Sequence, residues 1–106
     1  MRISHNNIKA IDSKAFGNLK NLYHLYLDNN NISVLQSEIF NNLSELRELN
    51  LNNNKIETLL DDIFPSIFRS IYDIKNIQIS NIKLVTSSRL IFSNNSKIES
   101  LDFSNN

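Results

Sequence analysis

The sequence predicts an α/β solenoid: stacked coils with a parallel sheet on the concave face and irregular or short helical turns on the convex face. Three observations lead there. Asn6, Asn30 and Asn54 stand 24 residues apart, and so do Ile8, Ile32 and Ile56. Phe16, Phe40 and Phe64 keep that spacing, as do Leu19, Leu43 and Ile67, so four independent positions hold one period through three copies. Within the period, Leu46 to Ile56 reads L-x-x-L-x-L-x-x-N-x-I, and Leu22 to Ile32 reads the same way.

Each part of the unit has a physical reason. In L-x-x-L-x-L the apolar residues alternate, so Leu49 and Leu51 point to one face and Asn50 and Asn52 to the other. That is a short strand with one buried side. Successive strands stack about 4.8 Å apart in a parallel sheet. One unit cannot bury its apolar face alone, but neighbours bury it for one another. Behind the sheet, Ile56, Leu59, Phe64 and Ile67 fill the coil interior. A Phe at one height in every coil makes a column, each ring contributing roughly 2 kcal/mol in transfer terms. After the strand the chain turns sharply and leaves inward backbone groups without partners. An Asn amide, with two donors and an acceptor, satisfies them. Asn6, Asn30, Asn54 and Asn106 hold that ladder position.

The period divides the chain into units at 1–21 (partial), 22–45, 46–73, 74–97 and 98–106 (partial), all in a single domain. The fourth unit breaks the regularity. Ile74, Ile77 and Ile79 restart the pattern 28 residues after Leu46, Leu49 and Leu51, an insertion of four. Leu84 and Phe92 fall where Ile56 and Phe64 place them, yet Ile82 replaces the ladder asparagine, and Ser87 and Asn95 occupy apolar positions. A bend, loose coil or bulged loop is expected over residues 65–95. Ile98, Leu101 and Phe103 then open the last unit.

With these motifs the chain resembles a leucine-rich repeat protein along essentially its whole length. The 24-residue unit with Phe in its second half, as in Ser37-Glu38-Ile39-Phe40-Asn41-Asn42-Leu43, is similar to the class common in extracellular receptors and matrix proteins. Toll-like receptors and insect cell-surface adhesion proteins are nearest in character. The resemblance implies a right-handed coil and a protein-recognition role in innate immunity or cell adhesion. Met1 falls at the second Leu position of a unit and Asn106 on a ladder position, so the expectation is a piece of a longer chain.

Composition narrows the chemistry. Eleven basic residues balance 11 acidic ones without like-charge runs, which argues against bulk attraction to nucleic acid or an anionic membrane. No apolar run approaches the roughly 20 residues of a membrane span. The absence of cysteine removes disulfides, thiolate metal sites and cysteine nucleophiles. A single glycine precludes glycine-rich phosphate loops. No nucleophile–base set or metal cluster is apparent, so neither an enzyme, a metal site nor a cofactor is expected.

Residues between the strand leucines form the concave surface: Tyr23, His24, Tyr26 and Asp28 in the second unit, Arg47, Glu48, Asn50 and Asn52 in the third, Lys75 and Gln78 in the fourth. Arg2, Ser4 and His5 belong to the first. Tyr23 and Tyr26 are the most informative, being aromatics at exposed positions of the kind that dominate binding hot spots. Arg47 is expected beside Tyr23, Asn50 beside Tyr26, and Asp28 beside Asn52. His24 and Glu48 share a column and are expected to be able to form a hydrogen-bonded pair. The sequons at Asn31, Asn42 and Asn94 sit at non-core positions and would accept glycans in a secreted protein.

The expected function is a protein-interaction module binding a protein partner on the concave face, within a cell-surface or secreted receptor. An intracellular scaffold or adaptor, cytoplasmic if the chain is complete as written, is the alternative. Neither reading fixes the oligomeric state.

Overall fold

The structure is a computed structural model that describes residues 1–56, 74–80 and 99–102. Four strands, β1 (His24–Tyr26), β2 (Glu48–Asn50), β3 (Asn76–Gln78) and β4 (Ser100–Asp102), form one parallel sheet in sequence order. The register follows the sequence period. Leu25 pairs with Leu49, Leu49 with Ile77 and Ile77 with Leu101. The insertion therefore lengthens the connection between β2 and β3 without shifting the pairing. A parallel bridge from Arg2 to Tyr26 continues the sheet into the first unit.

Alternation puts Leu25, Leu27, Leu49, Leu51, Ile77 and Ile79 in the core. Ile32, Leu35, Ile39, Phe40, Leu43, Leu46 and Ile56 fill the space behind them. Phe16 and Phe40 are both buried, one coil apart; Phe64 and Phe92 lie outside the described residues. Ile3, Ile8, Ile11, Leu19 and Leu22 of the first coil are only partly buried against this core. Their counterparts one unit later, Leu27, Ile32, Leu35, Leu43 and Leu46, are all buried. The difference is the one expected when units bury one another.

The convex side also repeats. Backbone N–H groups of Ala15, Gly17, Leu19 and Leu22 donate to the carbonyls of Asp12, Lys14, Phe16 and Leu19. Ile39, Asn41, Leu43 and Leu46 bond to Gln36, Glu38, Phe40 and Leu43 in the same pattern. These are tight turns, and in the second unit one forms a short 3-10 helix, Ser37–Phe40. Ala10 and Val34 make a further parallel bridge on this return path. Stacked units with a parallel sheet on one side and tight turns on the other constitute a solenoid-like fold. The expected irregularity of residues 65–95 falls largely outside the described residues, as does Asn106.

Two asparagine columns hold the turns together. In the inner column, the Asn54 amide donates to the carbonyls of Leu51 (3.0 Å) in its own unit and Leu27 (3.0 Å) in the previous one. Its Oδ1 accepts the Ile32 N–H at 3.1 Å. Asn30 donates to Leu27 and Ile3 and accepts from Asn6 and Ile8. Both are buried. Asn6 is exposed and bonds within its own unit, to Ile3 and Ser4.

The outer column is set by backbone conformation and not by the apolar period. His5, Asn29 and Asn53, one period apart, all have positive φ, at 59°, 56° and 55°. The turn out of the strand needs a left-handed residue, and Asn tolerates that conformation better than most. Asn53 Nδ2 donates to Asn29 Oδ1 at 3.0 Å, and Asn29 Nδ2 lies 3.5 Å from His5 Nε2.

The columns make different predictions. Asn54→Ala orphans buried turn groups and should destabilise by roughly 1–3 kcal/mol in urea unfolding; no change would show that the inner column carries no stability. At Asn53, Ala should be less stable than Gly by about 1 kcal/mol, since both lose the side-chain bond but only Ala is strained at positive φ. The same unfolding measurement reads the order.

Candidate functional site

The concave face is built by strands one unit apart, so residues at equal repeat positions form columns across it. Tyr23, just before β1, is 46% exposed. Arg47 lies over its ring, guanidinium carbon 5.1 Å from the centroid. Arg2 lies over the Tyr26 ring at 4.5 Å. The His24 ring stacks near Tyr26 at 6.3 Å and 20° and lies tilted against Tyr23 at 6.4 Å. Arg2, Tyr26, His24, Tyr23 and Arg47 thus form a continuous cation–aromatic stripe. Cation–π contacts at exposed sites contribute about 0.5–1 kcal/mol each, enough to orient the rings without locking them.

Below this stripe lies a polar network. Tyr26 O–H donates to Glu48 Oε2 at 2.6 Å, and Asn76 Nδ2 donates to Glu48 Oε1 at 3.2 Å. The Tyr26 bond holds the Glu48 carboxyl below its ordinary value, against the opposing push of desolvation, with Asn76 and the nearby His24 adding to the effect. The same bond, with desolvation and the Glu48 charge, raises the Tyr26 phenol, while Arg2 pulls it down. Asn52 Nδ2 donates to Gln78 Oε1, and Asn52 Oδ1 accepts the Ser80 N–H. Asn50 Oδ1 accepts the Asn52 N–H.

Two expected arrangements are corrected. His24 and Glu48 are register partners, but Nε2 stands 3.9 Å from Oε2, too far for a hydrogen bond. The phenol of Tyr26, reaching diagonally from β1, has taken that oxygen. Asp28 is buried rather than presented to solvent. Its Oδ1 accepts from Ser4 Oγ at 2.6 Å and its Oδ2 from Asn29 Nδ2 at 2.7 Å. Burial alone pushes the Asp28 carboxyl up, but these bonds, with a backbone bond and the neighbouring His5, outweigh it and hold the carboxyl low. Asp28 thus ties the first two units together.

The remaining positions separate by environment. Arg47 and Gln78 are exposed, while Asn50, Asn52 and Lys75 are half-buried. Lys75 pairs with Glu99 of the next unit at 2.8 Å. A cavity of about 280 Å³ opens among Tyr26, Glu48, Asn50, Asn76, Gln78 and Ser100. Among the described residues, no group of three His, Asp or Glu side chains is placed to hold a metal ion. None of the helices among them is long and apolar enough to cross a membrane. Of the sequons, Asn42 is exposed, Asn31 is half-buried and Asn94 lies outside the described residues.

Comparison with known families agrees with this architecture. A family model described as leucine rich repeat matches residues 1–56, and a second of the same description matches residues 45–70. The chain belongs to the leucine-rich repeat family. Leucine-rich repeat domains generally mediate protein–protein interaction and are generally not enzymes. No curated protein and no solved structure matches the chain.

Among the described residues, Asp28 and Glu48 are the carboxyls held low, and they contribute to the acid behaviour of this leucine-rich repeat domain. A group whose folded pKa lies below its unfolded value contributes stability that is complete above the unfolded pKa and is lost as pH falls through the folded one. Stability should therefore be nearly flat from pH 7 to about pH 5 and fall below that. Asp28→Asn should lower the plateau and shrink the acid drop. Denaturant midpoints measured between pH 2 and pH 7 provide the check.

Proposed function

We propose that this chain is a protein-recognition module that engages a protein partner with its concave face, as part of a cell-surface or secreted recognition or adhesion receptor. The observation that carries the reading is the stripe from Arg2 to Arg47. It places two tyrosines and two arginines, residue types enriched at binding hot spots, side by side on a sheet surface. Tyr23 is nearly half exposed within it. The face is framed by hydrogen-bonded strands that hold these side chains side by side, which lowers the ordering cost of binding.

The same reading extends to the whole chain as one right-handed coil, residues 1–106, with all five units contributing to the concave surface. Support for the extracellular setting comes from the 24-residue unit with its buried Phe16 and Phe40, and from the exposed Asn42 in Asn42-Leu43-Ser44. Asn42 follows the 3-10 helix Ser37–Phe40, so a glycan there would sit on the turn side of the unit.

Screening the chain against a panel of secreted and cell-surface ectodomains tests the proposal. Tyr23→Ala should weaken a captured partner by tenfold or more, about 1.4 kcal/mol, while leaving the unfolding midpoint nearly unchanged. Partners that bind Tyr23→Ala and Arg47→Ala as well as the parent chain would place recognition elsewhere.

A further inference from the structure

The cavity beside the stripe has a chemical bias that its residue types alone do not convey. Four of its residues, Tyr26, Glu48, Asn50 and Gln78, present oxygen atoms that keep accepting capacity after the bonds they make within the protein. The Tyr26 hydroxyl hydrogen is directed at Glu48, which leaves the phenol oxygen as an acceptor. One Asn76 N–H is directed at Glu48 as well. Gln78 Oε1 and Asn50 Oδ1 each accept one bond from Asn52 and keep a lone pair. Each Glu48 oxygen likewise accepts one of these bonds, from Tyr26 and Asn76, and retains capacity.

The nearby cations are engaged elsewhere. Lys75 is held by Glu99 at 2.8 Å. Arg2 lies over the Tyr26 ring and Arg47 over the Tyr23 ring. Among the described residues, the one basic side chain within 4.0 Å of the Glu48 carboxylate is His24, at 3.9 Å. Glu48 thus brings a negative charge, with no lysine or arginine in contact, to a hollow edged by acceptors.

Size restricts the occupant further. At about 280 Å³ the cavity lies below the roughly 300–1,000 Å³ of small-molecule sites. It suits one side chain of a larger partner. A guanidinium, planar and carrying five N–H donors, answers several acceptors at once, whereas an amide or hydroxyl brings no charge to Glu48. We infer that the cavity among Tyr26, Glu48, Asn50, Asn76, Gln78 and Ser100 is a subsite for a basic side chain, arginine above all, of the protein partner. This rests on the concave face being the recognition surface. It adds that the partner's contacting segment is basic at the position that follows the stripe along the sheet.

The probe is Nα-acetyl-arginine amide, with Nα-acetyl-citrulline amide as its neutral isostere, titrated into the whole chain and followed by NMR of the Asn76 and Gln78 side-chain amides. The arginine probe should shift these signals saturably and the citrulline probe should not. Glu48→Gln should weaken the arginine probe about tenfold or more, the scale of a charge-assisted hydrogen bond. Because Glu48→Gln also touches the Tyr26 bond, Gln78→Glu is the complementary variant: it alters an exposed side chain and should tighten the arginine probe about twofold to fivefold. Equal shifts from both probes, no shift from either, or indifference to both substitutions would overturn the subsite. Selection of random peptides on the same chain separates this from the broader reading. Binders that lose affinity with Tyr23→Ala, carry no basic residue and ignore Glu48→Gln would overturn the subsite and leave concave recognition standing. Binders indifferent to every concave substitution would overturn both.

Discussion

The structure depends on what happens to the backbone immediately after each strand. The chain must leave the sheet and turn into the coil, and the turn brings N–H and C=O groups inside, where water does not reach them. Asn30 and Asn54 resolve this with one side chain each, donating to the end of their own strand and to the strand of the unit before, while accepting from the unit before. Because each amide spans two units, it fixes their spacing and register as well as satisfying the turn. The buried leucines add most of the favourable free energy, but leucines alone would tolerate sliding. The amide bonds tolerate only one alignment.

Once the register is set, the concave face is a grid. Its columns bring together residues far apart in sequence: Arg2 with Tyr26, Tyr23 with Arg47, Glu48 with Asn76, Lys75 with Glu99. The grid divides into two neighbouring chemistries. One end carries the cation–aromatic stripe, with flat faces and positive charge. Beside it, the Tyr26–Glu48–Asn76 network surrounds a hollow edged with acceptors and one carboxylate. Tyr26 belongs to both, its ring to the stripe and its hydroxyl to the network. The alignment of a partner across this face would be sensed at that residue from two directions.

The period made the fold legible, because a strand with one buried side repeats its apolar positions and a buried turn repeats its amide. It also made the membership of each column legible, and Arg47 beside Tyr23 follows directly from register. What register does not specify is where a long side chain ends. His24 and Glu48 are opposite each other, yet the long Tyr26 side chain carries its hydroxyl past its own column, so Tyr26 captures the carboxylate diagonally. Asp28 occupies an outward position by count but is drawn in by Ser4 and Asn29. The outer column was visible as letters, with His5, Asn29 and Asn53 at one spacing, but a positive φ is a property of a turn in three dimensions.

By itself, then, the sequence determined the stacking of units, the strand positions, the inward leucines and the asparagines that close the turns after β1 and β2, all of which are periodic consequences of burying one face of a short strand. It also determined that an insertion of four residues precedes the fourth unit, which the sheet accommodates by keeping Ile77 opposite Leu49. The tertiary structure decided which hydrogen bonds the concave side chains make, because those depend on rotamer and reach rather than on period. It gave Glu48 to Tyr26 instead of His24, withdrew Asp28 into the join between the first two units, and aligned Arg2 over a ring that lies 24 residues away.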